Sequence, residues 1–277
     1  MSTFATPITT TLQSKQTAFG FWLMLPSAPA ARSILRASSS PSSSSPHKLS
    51  WVLVDGEHGL ITDREYYELA TAIGSCNASP IIRVPWGEEW MIKRALDAGA
   101  HGILTPMCHS AEDAARIVQY TKYPPVGSRG YGPAFAAHSL PDASAAATYD
   151  DAANNSLIVM VQIESRRGVD NVEDIARVDG LDGVLIGPFD LAKQMGVTRG
   201  GDEHEAAIQR ILKAAKDAGK TAAIFCSNGE QARLRAQQGF DMISIMTDVG
   251  AFEEGMMRNL GVAGGGSGGE GAGSGGY

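Results

Sequence analysis

IVMVQIESRRGVDNVEDIARVDGLDGVLIGPFDLA, residues 158 to 192, decides how the rest of the chain is read. It opens on an apolar run of strand length that ends in polar residues including Glu164. It closes on a second such run that ends in polar residues including Asp190. Between them Val172, Ile175 and Ala176 recur at helical spacing. Strand, helix and strand in this order form a βαβ unit, whose two strands run parallel and are often neighbours. Parallel neighbours lie about 4.8 Å apart, so carboxylates at their carboxyl ends can share one divalent cation. The alternative for Glu164 and Asp190 is a pair of loop carboxylates facing solvent.

Working outward, apolar runs bounded by turn residues predict further strands at 19–25, 51–54, 80–84, 102–104, 221–225 and 242–245. Helical spacing fills the intervals, with Asp63 and Ser110 placed to cap two of the helices. Eight strands alternating with helices, without a break in composition, is the count of a single closed (β/α)₈ barrel, here at 17–262. A doubly wound open sheet would carry a glycine-rich fingerprint after its first strand, and Leu25 is followed by PSAPA. Residues 1–16 are expected to be a flexible arm, and the Gly/Ser-rich tail 263–277 to be disordered. The Ser-rich loop at 38–46 joins a helix to the next strand, hence lies on the face opposite the strands' carboxyl ends. YPPVGSRGYGPAFAAHSL, residues 123 to 140, is long and turn-rich, the pattern of a lid or binding loop. Met256 and Met257 are expected in the core.

With 43% hydrophobic residues in a chain of 277, a substantial core is affordable. A net charge of -7 with interspersed signs excludes the basic patch that a nucleic-acid partner requires. No apolar run reaches the length of a membrane span, and the first residues lack the pattern of a secretory or transit peptide. Cys76, Cys108 and Cys226 share no metal-ligand spacing and suit a reducing compartment, so a soluble cytoplasmic protein is expected.

Active sites of such barrels lie at the carboxyl ends of the strands. Collected there are Asp55, Glu57 and His58 after the second strand, Arg83 on the third, Gln162 and Glu164 on the fifth and Asp190 after the sixth. Singly, each has a plainer reading: Asp55 in a turn, His58 as a polar loop residue, Arg83 in a structural ion pair. Together they make a set able to stabilise an oxyanion and move a proton. Cys108 and His109 resemble a metal pair without partners. Lysines that could form a Schiff base are missing from the strand ends, Lys193 being the nearest, so electrophilic work falls to a metal.

Six ordered motifs, VLVDGEHG (52–59), IIRVPWG (81–87), RALDAGAHGILTPM (94–107), YPPVGSRGYG (123–132), VQIES (161–165) and GVLIGPFDLA (183–192), resemble the metal-dependent (class II) hydroxy-oxo-acid aldolases. These are the 4-hydroxy-2-oxoheptanedioate, 2-dehydro-3-deoxyglucarate and 2-keto-3-deoxy-rhamnonate aldolases. The resemblance covers roughly residues 17 to 260. It implies a barrel of the phosphoenolpyruvate/pyruvate-binding type that cleaves or forms a 4-hydroxy-2-oxo acid, giving pyruvate and an aldehyde. It further implies a homohexamer, a trimer of dimers that exchange the last helix. By motif, Glu164 and Asp190 match ligands of Mg²⁺, Mn²⁺ or Co²⁺, Arg83 the stabiliser of the enolate oxygen, and His58 the acid/base. Asp97 matches an acidic residue that raises the histidine's basicity, although its place late in a helix would require a neighbouring subunit to supply it. Gln162 and the backbone at Phe189 match substrate contacts. Two positions depart from the pattern: Phe189 stands where a small residue is common, narrowing the entrance, and Pro133 where a small polar residue is common. Enolate chemistry with another outcome, an oxaloacetate decarboxylase or a carbon–carbon bond-forming synthase, is the alternative. A non-catalytic scaffold is disfavoured by the retained set.

Overall fold

The computed structural model of the chain describes residues 3–43, 45–141 and 146–265. Eight strands follow one another around a closed barrel: β1 (Ala18–Leu23), β2 (Leu49–Asp55), β3 (Ser79–Arg83), β4 (Gly102–Thr105), β5 (Ile158–Ile163), β6 (Gly183–Ile186), β7 (Thr221–Phe225) and β8 (Met242–Thr247). Each pairs in parallel with the next, and β1 pairs in parallel with β8 to close the ring. The helices are α1 (Pro7–Gln13), α2 (Ala28–Ser39), α3 (Asp63–Gly74), α4 (Glu89–Asp97), α5 (Ala111–Thr121), α6 (Tyr149–Ser156), α7 (Arg166–Asp170), α8 (Val172–Ala176), α9 (Pro188–Met195), α10 (Asp202–Asp217), α11 (Gly229–Gln237) and α12 (Asp248–Ala263). The fold is the (β/α)₈ barrel that the alternation of elements predicts.

Alternate residues of a strand point to opposite faces, and this parity builds two cores. Outward-facing Val52, Val54, Ile82, Ile103, Val159, Val161, Val184 and Ile224 pack under the helices. Inward-facing Trp51, Leu53, Ile81, Leu104, Ile158, Met160, Leu185, Ala223 and Met242 fill the lumen. Trp51 fits because Gly20, across from it in β1, has no side chain: a Cβ there would meet the indole ring. The same parity that turns Trp51 and Leu53 inward turns Asp55 inward, and that of Ile158 and Met160 carries on to Gln162 and Glu164. The lumen is therefore apolar at its base and polar at the strands' carboxyl ends.

Several expectations are corrected. The arm at 1–16 is not loose where it is described. Thr6 caps α1 with a capping box, Ile8 is fully buried in the lumen cluster, and its N–H donates to Ser79 Oγ at 3.0 Å. Phe4 stacks on Tyr149. An apolar barrel base needs a cover, and α1 provides it. Met256 and Met257 are not in the core: they are 66% and 57% exposed, on a face of α12 that also exposes Phe252 and Leu260. Helix α12 runs to Ala263, into the segment expected to be disordered; the rest of that tail, 266–277, lies outside the described residues, as does residue 44 of the Ser-rich loop. The loop's first serines belong to α2. Segment 123–140 is fastened to the helical ring. Tyr123 N–H donates to Asn154 Oδ1, Ser128 to Glu89, and the Arg129 guanidinium lies 4.4 Å over the Tyr123 ring. Among the described residues no helix is long and apolar enough to cross a membrane.

Truncating Ile8 to Ala is expected to lower the unfolding free energy by about 2–4 kcal/mol, measured by urea denaturation. A change below about 0.5 kcal/mol, the level of surface substitutions, would mean that α1 does not belong to the core.

Candidate active site

Parallel register sets Asp55 of β2 directly beside Arg83 of β3. Both are buried, and a guanidinium is costly there unless paired. The pairing is bidentate: Arg83 Nε donates to Asp55 Oδ1 at 2.9 Å and Nη2 to Oδ2 at 2.7 Å. Trp22, at the end of β1, completes the arrangement from a third strand. Its indole N–H donates to Asp55 Oδ2 at 2.9 Å, and its ring lies 4.8 Å from the guanidinium carbon. The Glu57 and His58 N–H groups reach Asp55 Oδ1 at 3.1 and 3.2 Å. Burial acts to raise the Asp55 carboxyl, but Arg83's charge and these hydrogen bonds outweigh it and hold the pKa below the ordinary value. Asp55 is among the catalytic candidates in the sequence; in the structure both its oxygens are engaged, by Arg83, Trp22 and the turn bearing His58.

The remaining nitrogen of the fork, Arg83 Nη1, faces the site. It lies 2.9 Å from Glu57 Oε2 and 3.5 Å from Gln162 Oε1. Gln162 in turn donates through Nε2 to Glu164 Oε2. The other oxygen of Glu164 accepts the Met107 N–H at 2.7 Å, and Met107 holds an unusual left-handed backbone at φ 55° to present it. Asp190 stands in the first turn of α9, just after β6, where its charge acts on Glu164 and Glu57. The cap of that helix is Gly187, where a Cβ would press on Gln162 Nε2 and come within 2.6 Å of Glu164 Oε2, so a larger residue would have to displace these two side-chain ends. His58 sits at the mouth, its Nε2 3.8 Å from Glu57 Oε1 and its side chain 43% exposed.

The carboxylates outnumber the cations here. Glu164 is pushed up to about 7, first by burial and then by the charges of Asp190 and Glu57, with the Met107 N–H and Arg83 opposing. Glu57 is raised by burial first, against Arg83 and His58. Its buried Oε2 has no hydrogen-bond partner, since the Arg83 contact lacks hydrogen-bond geometry. Such a donor set of carboxylate oxygens fits a hard divalent cation that keeps most of its waters. Among the described residues no group of three or more His, Cys, Asp or Glu side chains is arranged to hold a metal by itself, so Glu164 and Asp190 would be the protein's share.

Asp97 is not brought to this site. It ends α4, at the face opposite the strands' carboxyl ends, and its carboxylate pairs with Arg129 at 2.7 Å. Cys108 and His109 have separate surroundings. The thiol is buried and pushed up to about 12, chiefly by burial, and His109 Nδ1 contacts Ser165 Oγ at 2.8 Å. Phe189 packs on the lumen cluster against Phe225. Trp22, the Met107 N–H and Gly187 escape sequence reading: a backbone donor carries no residue signature, and Trp22 reads only as an apolar strand residue.

The chain matches the family described as HpcH/HpaI aldolase/citrate lyase over residues 40–254. A hydroxypyruvate/pyruvate aldolase of Paraburkholderia phytofirmans is 35% identical over 258 residues, 90% of this chain and 94% of the relative. Among solved structures, an HpcH/HpaI aldolase/citrate lyase family protein from Burkholderia cenocepacia aligns with a TM-score of 0.82 at 31% identity, covering 94% of this chain and 99% of its own. A citrate synthase, SbnG, aligns at 0.77 and 25% identity, covering 92% of this chain and 97% of its own.

Because its folded-state pKa is raised, Glu164 stabilises the fold least when ionised. The cost is absent below its ordinary value of 4.5, grows as pH rises, and is complete above about 7. In metal-free protein, Glu164→Gln is expected to gain about 2–3 kcal/mol on wild type between about pH 5 and about pH 8, read from urea unfolding at both. An equal difference at the two pH values would remove the buried-charge reading.

Proposed function

Since the chain belongs to the HpcH/HpaI aldolase/citrate lyase family, a family of carbon–carbon lyases, we propose that it is a divalent-metal-dependent pyruvate aldolase. It would cleave, or form, a 4-hydroxy-2-oxo acid, with pyruvate and an aldehyde as the other side of the reaction. The observation that carries this reading is the buried chain from Asp55 through Arg83 and Gln162 to Glu164, with Asp190 opposite.

Glu164 and Asp190 would hold Mg²⁺, Mn²⁺ or Co²⁺, which when bound supplies a Lewis acid for the 2-oxo acid's oxygens. The chain's own groups account for the rest. Arg83 is fixed on two sides by Asp55 and Trp22, and its Nη1, beside Glu57 and Gln162, would meet the negative charge that develops. His58 takes the proton of the C4 hydroxyl. The C3–C4 bond breaks, its electron pair moves toward the C2 oxygen as an enolate, and the aldehyde leaves. A proton returned to C3 then gives pyruvate. Preorganised donors of the Arg83 kind act without reorganisation in a water-poor site, and loss of one costs about 10²- to 10³-fold in kcat. Gln162 bridges Arg83 to Glu164 and keeps both in the orientation the substrate meets.

The exposed apolar face of α12, with Phe252, Met256 and Leu260, supports assembly into a homo-oligomer; the hexamer, as a trimer of dimers, is what the family resemblance implies. Asp97, remote from its own chain's site, would then serve a neighbouring subunit's His58. A second outcome of the same chemistry is oxaloacetate decarboxylation or carbon–carbon bond formation by a synthase, the latter supported by the likeness to the citrate synthase.

Pyruvate release, measured with each metal across 4-hydroxy-2-oxo acids of differing aldehyde halves and with oxaloacetate, distinguishes these outcomes. Glu164→Ala and Asp190→Ala are each expected to abolish metal-dependent cleavage, and Arg83→Ala to cost at least about 100-fold in kcat. Full activity of either carboxylate variant in chelator would sink the metal-dependent reading.

A further inference from the structure

Phe189 and Arg199 form a feature of the site's rim that the reaction described above does not use. Helix α10 returns the chain to the start of β7, so it begins on the carboxyl-end face, and the loop from Gly196 to Gly201 that precedes it lies on that face too. Arg199 stands in this loop, between glycines at φ 70° and 78°. Its guanidinium carbon lies 4.0 Å from the centroid of the Phe189 ring. That ring is part of the site's wall: it packs on Phe225 at 5.9 Å, and Phe225 packs edge-on against Trp22 at 5.0 Å, the residue that holds Asp55.

Arg199 is exposed. Its stacking contact uses the face of the guanidinium, while its N–H donors radiate in the plane. No hydrogen bond or ion pair joins them to a described residue. A planar cation clamped on a ring with its edge open is suited to a bidentate carboxylate. The surrounding charge makes the position informative: Glu57, Glu164 and Asp190 crowd the mouth, and Arg83 is already paired with Asp55 and assigned to the enolate. An acceptor with a negative far end would be repelled without a second cation at the rim.

We propose that Arg199, stacked on Phe189, is the anion-binding edge of the acceptor subsite and recognises a carboxylate at the far end of the aldehyde half of the substrate. The assignment rests on the pyruvate aldolase reading and deepens it. Phe189 then serves as the platform that aims the cation.

The test compares condensation of pyruvate with succinic semialdehyde and with butanal, which has the same chain length and no charge, in metal-reconstituted wild type, Arg199→Gln, Arg199→Lys and Phe189→Leu. Wild type is expected to prefer succinic semialdehyde. Arg199→Gln is expected to raise the KM for it by about tenfold, the loss of one charge-assisted hydrogen-bonded contact, with a much smaller effect on kcat and on butanal. Arg199→Lys should recover part of the preference, and Phe189→Leu should lose part of it. Equal preference in wild type, or a change in Arg199→Gln that falls alike on both aldehydes or on neither, overturns the proposal. Exchange of pyruvate methyl protons with solvent, followed in wild type by NMR, separates the two levels. Exchange without a carboxylate preference overturns the Arg199 assignment alone, whereas absence of exchange overturns the aldolase reading and the assignment with it.

Discussion

A guanidinium enclosed in the barrel, clamped by one carboxylate and one indole, sets the geometry of everything around it. Arg83 is almost completely buried, and such a charge persists only when its donors are matched. Asp55 matches two of them because parallel register places the two residues side by side. Trp22 reaches in from β1 to hold the second Asp55 oxygen and to cover the cation. Removing one partner of such a pair typically costs about 3–5 kcal/mol, because the other charge is left unmatched. Stability of the upper lumen and orientation of Arg83 Nη1 therefore depend on the same contacts.

The rest of the site follows from the charge that remains. One arginine faces Asp55, Glu57, Glu164 and the nearby Asp190, and burial strengthens their mutual repulsion. The fold brings them close at some cost: a left-handed Met107 offers its N–H to Glu164, and a Cβ at Gly187 would crowd the side-chain ends of Gln162 and Glu164. Backbone held in a sparsely populated region is a feature of functional sites. In the proposed function, a divalent cation held by Glu164 and Asp190 would offset this imbalance, and carboxylate oxygens suit such an ion.

Much of this was legible in the sequence. Repetition of strand and helix gives the barrel, and the rule that chemistry gathers at strand ends collects Arg83, Gln162 and Glu164, which hydrogen bonds link in the structure, and Asp190, whose charge acts on Glu164. His58 also falls at the mouth. What escaped depends on contacts between distant segments. Ile8 is an apolar residue in a polar-looking stretch, and nothing local indicates that a barrel base waits for it. Asp55 looks like one more reactive carboxylate until the five hydrogen bonds it accepts from four residues are seen. Met256 and Met257 read as core because apolar residues usually are, yet α12 turns them outward. Asp97 belongs by motif to the site and by position to the far end of α4, a conflict that a single chain does not remove.

The most direct measurement is anomalous diffraction from crystals of the protein soaked with Mn²⁺ and pyruvate. A single anomalous peak bridging the Glu164 and Asp190 carboxylates, with pyruvate beside it and its keto oxygen within hydrogen-bonding reach of Arg83, is the expected result. Manganese bound elsewhere with this position empty, or pyruvate seated away from Arg83, would contradict the assignment of these residues.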